Sequence, residues 1–109
     1  MNFEEYQKLA KRTAIYPVVG KGFVYPTLGL AGEAGEIVNK VKKIFRDDNN
    51  ELTEKRKKEI AKELGDILWY VAQISTELGV SLDQVAKDNI EMLSSRQQRN
   101  TIKGDGDNR

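Results

Sequence analysis

A fifteen-residue pattern occurs twice in this chain, thirty residues apart, and it restricts the possible folds more than any other feature. Leu30–Ile44 reads LAGEAGEIVNKVKKI, and Ile60–Ile74 reads IAKELGDILWYVAQI. Six of the fifteen aligned positions are identical: Ala31/Ala61, Glu33/Glu63, Gly35/Gly65, Ile37/Ile67, Val41/Val71 and Ile44/Ile74. Leu30, Ala34, Ile37, Val41 and Ile44 recur at the three- and four-residue steps of a helix, as do Ile60, Leu64, Ile67, Val71 and Ile74. Two matching amphipathic helices need to bury their stripes, and packing stripe against stripe in antiparallel fashion satisfies both.

The rest of the chain reads as helix and punctuation. Asn2 followed by Glu5 is a helix-start signal, and Phe3, Tyr6, Leu9, Ala10 and Thr13 then share one face. Pro17, Gly20, Gly22 and Pro26 mark a loop from Tyr16 to Tyr25, so the second helix is expected from near Thr27 to about Arg46. Asp47–Asn50 is turn chemistry. Thr53 caps a third helix that stops at Gly79, and Ser81 with Gln84 opens a fourth to about Gln98. No segment alternates with a period of two. The expected fold is all-α, a four-helix bundle-like domain over residues 1–98, followed by a polar C-terminal tail, 99–109.

Composition removes several chemistries. The 109 residues include no cysteine and no histidine, which excludes disulfides, thiolate nucleophiles, His-based triads and the usual zinc sites. A net charge of +1 gives no global attraction to nucleic acid or membrane. The acidic start lacks a signal core and no apolar run approaches the roughly 18 residues of a span. The cytoplasm is the expected location.

Within each repeat the acids are spaced i, i+3 on one flank of the stripe: Glu33 with Glu36, and Glu63 with Asp66. Antiparallel packing brings the two flanks together, so four carboxylates converge. Two carboxylates about 5 Å apart repel by roughly 3 kcal/mol at an effective dielectric near 20. An all-oxygen set of this kind suits Mg²⁺, with Mn²⁺ as the other candidate. A di-iron carboxylate bundle would need histidines that this chain lacks. Taken one at a time, acids beside an amphipathic helix are ordinarily solvated; their repetition on matching flanks is what points to a site.

The run Gly-Leu-Ala-Gly-Glu33-Ala-Gly-Glu36, followed by Lys62-Glu63-Leu-Gly-Asp66-Ile-Leu-Trp-Tyr, resembles the MazG-like all-α nucleoside triphosphate pyrophosphohydrolases, over roughly Phe3 to Arg96. The resemblance implies Mg²⁺-dependent hydrolysis of a nucleoside or deoxynucleoside triphosphate to the monophosphate and pyrophosphate. It also implies metal-ligand and catalytic roles for Glu33, Glu36, Glu63 and Asp66, and a homodimer or homotetramer. Gly32 stands where many members carry a further Glu. In the last helix Asn89, Leu93 and Arg96 match N-x-x-K-L-x-x-R, but Met92 replaces the Lys. Asn89 and Arg96 are thereby substrate-binding candidates.

Other residues allow two readings. Lys40 and Lys43 share the flank of Glu33 and Glu36 and are candidates for phosphate. Asn89 falls in the stripe of Leu82, Val85, Ala86 and Leu93, as a buried amide with either a structural partner or a ligand. Trp69 and Tyr70, like Tyr16 and Tyr25, can stack on a base or serve packing. Arg109 closes a tail with two glycines that is either a frayed terminus or a segment folding back toward phosphate. The competing function is a helical nucleotide- or RNA-binding regulatory module holding a structural metal without turnover. The isolated basic run Lys55–Lys58 lacks interleaved aromatics, so nucleic acid is an unfavoured partner.

Overall fold

The computed structural model describes Met1–Arg109 and is all-helical: α1 (Phe3–Lys11), α2 (Val24–Asp47), α3 (Glu54–Glu77) and α4 (Leu82–Gln98). Three helices begin on side-chain caps. Asn2, Thr53 and Ser81 each accept from the backbone N–H three residues on, at Glu5, Arg56 and Gln84, satisfying donors the helix leaves open. The second helix begins differently, and earlier than the prolines suggest. Phe23 stands at its N-cap without a side-chain bond, and Pro26 lies inside the first turn, where its missing N–H costs nothing.

The α2–α3 turn contains Asn49 and Asn50, both at positive φ (54° and 64°), a conformation asparagine tolerates better than most residues. Arg56 then fastens the turn, donating to Asp48 at 2.9 Å and to Glu59 at 3.0 Å. The third helix ends as its sequence suggests, with Gly79 at φ +70°.

The third helix is the hub, touching α1, α2 and α4, whereas α2 and α4 do not meet. Ala10, Ala72 and Leu82 form the buried centre, with Tyr6, Trp69 and Val71 packed on it. Gln7 ties α1 to the α3–α4 corner, donating to Thr76 Oγ1 and to the Val80 carbonyl and accepting from the Leu82 N–H. Only the start of α4 is held this way. From Gln84 to Ser95 the helix is exposed apart from a half-buried Ala86. The apolar stripe expected there is therefore largely uncovered within one chain.

The chain is open rather than spherical. Its radius of gyration is 16.9 Å, against about 13 Å for a compact chain of this length. Its accessible surface is 8111 Å², roughly 2,000 Å² more than the mass predicts. A second face of α2 contributes, with Leu28, Val38 and Phe45 each about two-thirds exposed. No helix is long and apolar enough to cross a membrane.

Gln73 is an anomaly in this thin interior. It is 1% exposed, yet neither its amide nitrogen nor its amide oxygen has a partner. The tail is more ordered than its composition suggests. Arg109 donates to the carbonyls of Thr101, Ile102 and Gly106, and Arg99 donates to the main-chain oxygen of Arg109. The tail thus closes on its own last side chain instead of offering that guanidinium outward.

Candidate metal centre

Helices α2 and α3 run antiparallel, and cross-helix partners step in opposite directions along them. Asp48 pairs with Arg56, Lys40 with Glu63, and Glu77 closes on Gly22, where a Cβ would strike its carboxylate. The repeated acids fall midway. One carboxylate oxygen from each of Glu33, Glu63 and Asp66 lies within 4.8 Å of the others. Glu36, one turn along from Glu33, is exposed and stands outside this group, though its charge is felt at Glu33.

Electrostatics follow from the crowding. The carboxyl of Glu33 is raised above its ordinary range, first by hydrogen bonding with Glu63, then by burial, then by the charges of Asp66, Glu63 and Glu36. The Lys40 ammonium lies 3.6 Å from Glu63 Oε1, with about a fifth or less of either side chain exposed. Lysine thus already answers one of the negative charges. An oxygen-only cluster with a raised carboxyl and a cation drawn to its edge fits a hard divalent ion such as Mg²⁺ or Mn²⁺.

Tyrosines border the acids. The Tyr70 hydroxyl is raised by burial first, then by Tyr25, Glu33 and Asp66. Tyr6, reaching in from α1, is raised by burial and then by Asp66. Nothing in the sequence marks Tyr6 as a neighbour of Asp66, since the two are far apart along the chain. Tyr70 carried a readable signal: it occupies the repeat position of Lys40. Its ring covers Gly29, where a Cβ would collide with it.

Beyond Tyr70 the aromatics form one group. Trp69 meets Tyr70 edge-on at 5.1 Å and Tyr16 at 6.1 Å, and Tyr16 stacks on Tyr25 at 5.5 Å. Tyr16 donates to Glu77 at 2.7 Å. Burial and this carboxylate push its hydroxyl up to about 12. Trp69 donates to Thr13 Oγ1 at 2.9 Å.

The remaining candidates lie elsewhere within one chain. Lys43 is half-buried one turn beyond Lys40, and its charge acts on Asp47. Asn89 is exposed and makes no side-chain hydrogen bond, contrary to the buried amide expected of its stripe, because α4 is held only at its Leu82 end. Arg96 is 6% exposed and donates to the Asp107 carbonyl at 2.6 Å, so its guanidinium faces the tail.

Comparison with known proteins identifies the family. The family profile described as MazG nucleotide pyrophosphohydrolase domain matches residues 26–100, which takes in both acidic pairs and all of α4. The chain is also similar to the Gene 37 protein of Mycobacterium phage L5, 47% identical over 114 residues and spanning 100% of each chain. No solved structure matches.

Proposed function

The chain belongs to the MazG nucleotide pyrophosphohydrolase domain family, and from that premise we propose that it hydrolyses a nucleoside or deoxynucleoside triphosphate to the monophosphate and pyrophosphate. The observation that carries this reading is the convergence of Glu33, Glu63 and Asp66 to within 4.8 Å across two repeated helices. A water oxygen bonds to the α-phosphorus, and the α–β anhydride P–O bond breaks. Pyrophosphate leaves with the electron pair, and the water's proton passes to a carboxylate of the cluster.

Glu33, Glu63 and Asp66 are the residues placed to hold Mg²⁺ or Mn²⁺, with Glu36 one helical turn away. Such an ion, when bound, neutralises phosphate charge and favours the ionised form of water. The chain's own residues do the rest. The paired helices hold the carboxylates together, and Lys40 and Lys43 supply positive charge for phosphate along the same flank. Asn89 and Arg96 are proposed to reach substrate only in an assembly, since α4 does not meet α2 in one chain.

That assembly is a homo-oligomer. The surplus accessible surface, roughly 2,000 Å², is on the scale of a standard protein–protein interface, and Leu28, Val38 and Phe45 give it apolar character. The testing experiment incubates the protein with a panel of ribo- and deoxynucleoside triphosphates and Mg²⁺. Monophosphate and pyrophosphate should appear together. Orthophosphate as the first product contradicts the reading. Metal-induced stabilisation without turnover would favour a non-catalytic nucleotide-binding module.

A further inference from the structure

The carboxylates on α2 lie between two unlike neighbours. Along α2 the order is Gly29 under the Tyr70 ring, then Glu33 and Glu36, then Lys40. Tyr70 and Lys40 stand at equivalent positions of the repeat, seven residues after Glu63 and Glu33 respectively. Each crosses toward the opposite helix. Lys40 lies against Glu63, and Tyr70 feels the charge of Glu33. The helical frame is nearly symmetric, but one end presents an ammonium and the other a phenol ring.

A nucleotide has the same asymmetry, a flat neutral base at one end and an anionic chain at the other. We propose that the acidic site on α2 and α3 binds a nucleoside triphosphate in one direction, with the base against Tyr70 and the β- and γ-phosphates at Lys40. The proposal rests on the pyrophosphohydrolase reading and adds to it the direction of the substrate and the residue that receives the base.

Three observations carry the direction. First, Tyr70 is a prepared surface. Gly29 gives its ring room on one side, Trp69 meets it edge-on at 5.1 Å, and it is only partly buried. A ring held in this way stacks on any base with little ordering cost.

Second, the other end has cations for phosphate, Lys40 beside the acids and Lys43 one turn beyond it. Arg56, farther along, is committed to Asp48 and Glu59, whereas the Lys40 contact at 3.6 Å is a loose one that a more highly charged anion can outcompete. The reverse direction would set phosphates beside the aromatic group, whose bonded charged member, Glu77, is an anion.

Third, the scale is suitable. Gly29 and Lys40 are eleven residues apart, roughly 16 Å of helix rise, which suits an extended nucleoside triphosphate with its α-phosphate over the carboxylates.

Binding to the full chain in Mg²⁺, followed by calorimetry and by the fluorescence of the single tryptophan, Trp69, tests the direction. The probes are inorganic tripolyphosphate, a nucleoside monophosphate and a nucleoside triphosphate analogue with a methylene between the α- and β-phosphates. Tyr70→Leu should weaken the monophosphate and the analogue at least about five-fold and leave tripolyphosphate within two-fold. Gly29→Ala, which keeps the tyrosine but displaces its ring, should give the same pattern. Tyr70→Phe should bind all three probes like the wild type. Lys40→Met should weaken tripolyphosphate and the analogue and spare the monophosphate. The direction is overturned if Tyr70→Leu weakens tripolyphosphate as much as the analogue, or if Lys40→Met weakens the monophosphate. Should Tyr70→Leu fail to fold, Gly29→Ala and Tyr70→Phe carry the same decision. Wild-type protein that binds none of the probes overturns the pyrophosphohydrolase reading along with the direction.

Discussion

Lys40 on α2 lies 3.6 Å from Glu63 on α3, so the carboxylate cluster carries a cation of its own. Lysine and a divalent ion are then alternative answers to the same repulsion. Added Mg²⁺ or Mn²⁺ should raise the melting temperature, because an ion that binds only the folded state stabilises it. Lys40→Met should cost about 1–2 kcal/mol without metal, for a half-buried pair, or several degrees of melting temperature. Saturating Mg²⁺ should narrow that gap. Differential scanning calorimetry with and without metal measures both effects, and a melting curve indifferent to millimolar Mg²⁺ would count against a metal site.

Glu36→Gln and Asp66→Asn test the shared site. Each removes one negative charge while keeping shape, so circular dichroism should be unchanged and pyrophosphate release should fall by at least about 100-fold. A variant retaining near wild-type rate would remove that residue from the site.

The raised carboxyl of Glu33 makes stability depend on pH in an unusual direction. With its pKa higher in the fold than in the unfolded chain, the native state holds more protons between those two values. Stability from this group is therefore greatest below the unfolded carboxylate range and is lost as pH rises through the folded value. A divalent ion bound at Glu33 would take the place of that proton. Denaturant titrations of metal-free protein should show this loss toward neutral pH, and Glu33→Gln or added Mg²⁺ should flatten it.

Gln73 offers a stability test remote from the acids. Both atoms of its buried amide lack partners, and each unsatisfied group costs about 1–3 kcal/mol. Gln73→Leu should therefore be neutral or stabilising by up to about 2 kcal/mol, read as a shift of the urea midpoint at constant slope. Marked destabilisation would mean that the amide finds a partner in the assembled protein.

The tail gives a local prediction. Arg109→Ala removes three donations to carbonyls of its own loop. Proteolysis after Asn100 should become faster, while the helical melting temperature moves by no more than a few degrees. Equal proteolysis of both proteins would show that the loop does not depend on that side chain.

What the sequence made legible was whatever is written locally. Asn2, Thr53 and Ser81 announced three helix starts because a cap and its N–H lie three residues apart. The repeat announced α2 and α3 and set Glu33, Glu63 and Asp66 on facing flanks. The start of α2 was hidden because Phe23 supplies no cap and Pro26 is harmless in a first turn. The stripe on α4 was read as buried, but periodicity says which residues share a face and not what covers it. Arg109 was read as part of a frayed terminus or as a guanidinium folding back toward phosphate, because nothing local reveals that three carbonyls would return to meet it. Tyr6 beside Asp66 depends on α1 docking on α3, which no short-range pattern encodes.

The cross-helix partners on α3 follow a count of seven. Arg56 meets Asp48, Glu63 meets Lys40, and Tyr70 covers Gly29, one turn from Glu33. Seven residues is close to two helical turns, so these three side chains emerge within about 20° per step of one line. One residue inserted or deleted between Arg56 and Glu63 would turn everything beyond it by roughly 100°, leaving the helix intact while swinging Glu63, Asp66 and Tyr70 out of the site together. The segment between the Asp48 clamp and the acids therefore tolerates changes of residue far better than changes of length, and homologues with a functioning site should conserve its phase even where they conserve little of its composition.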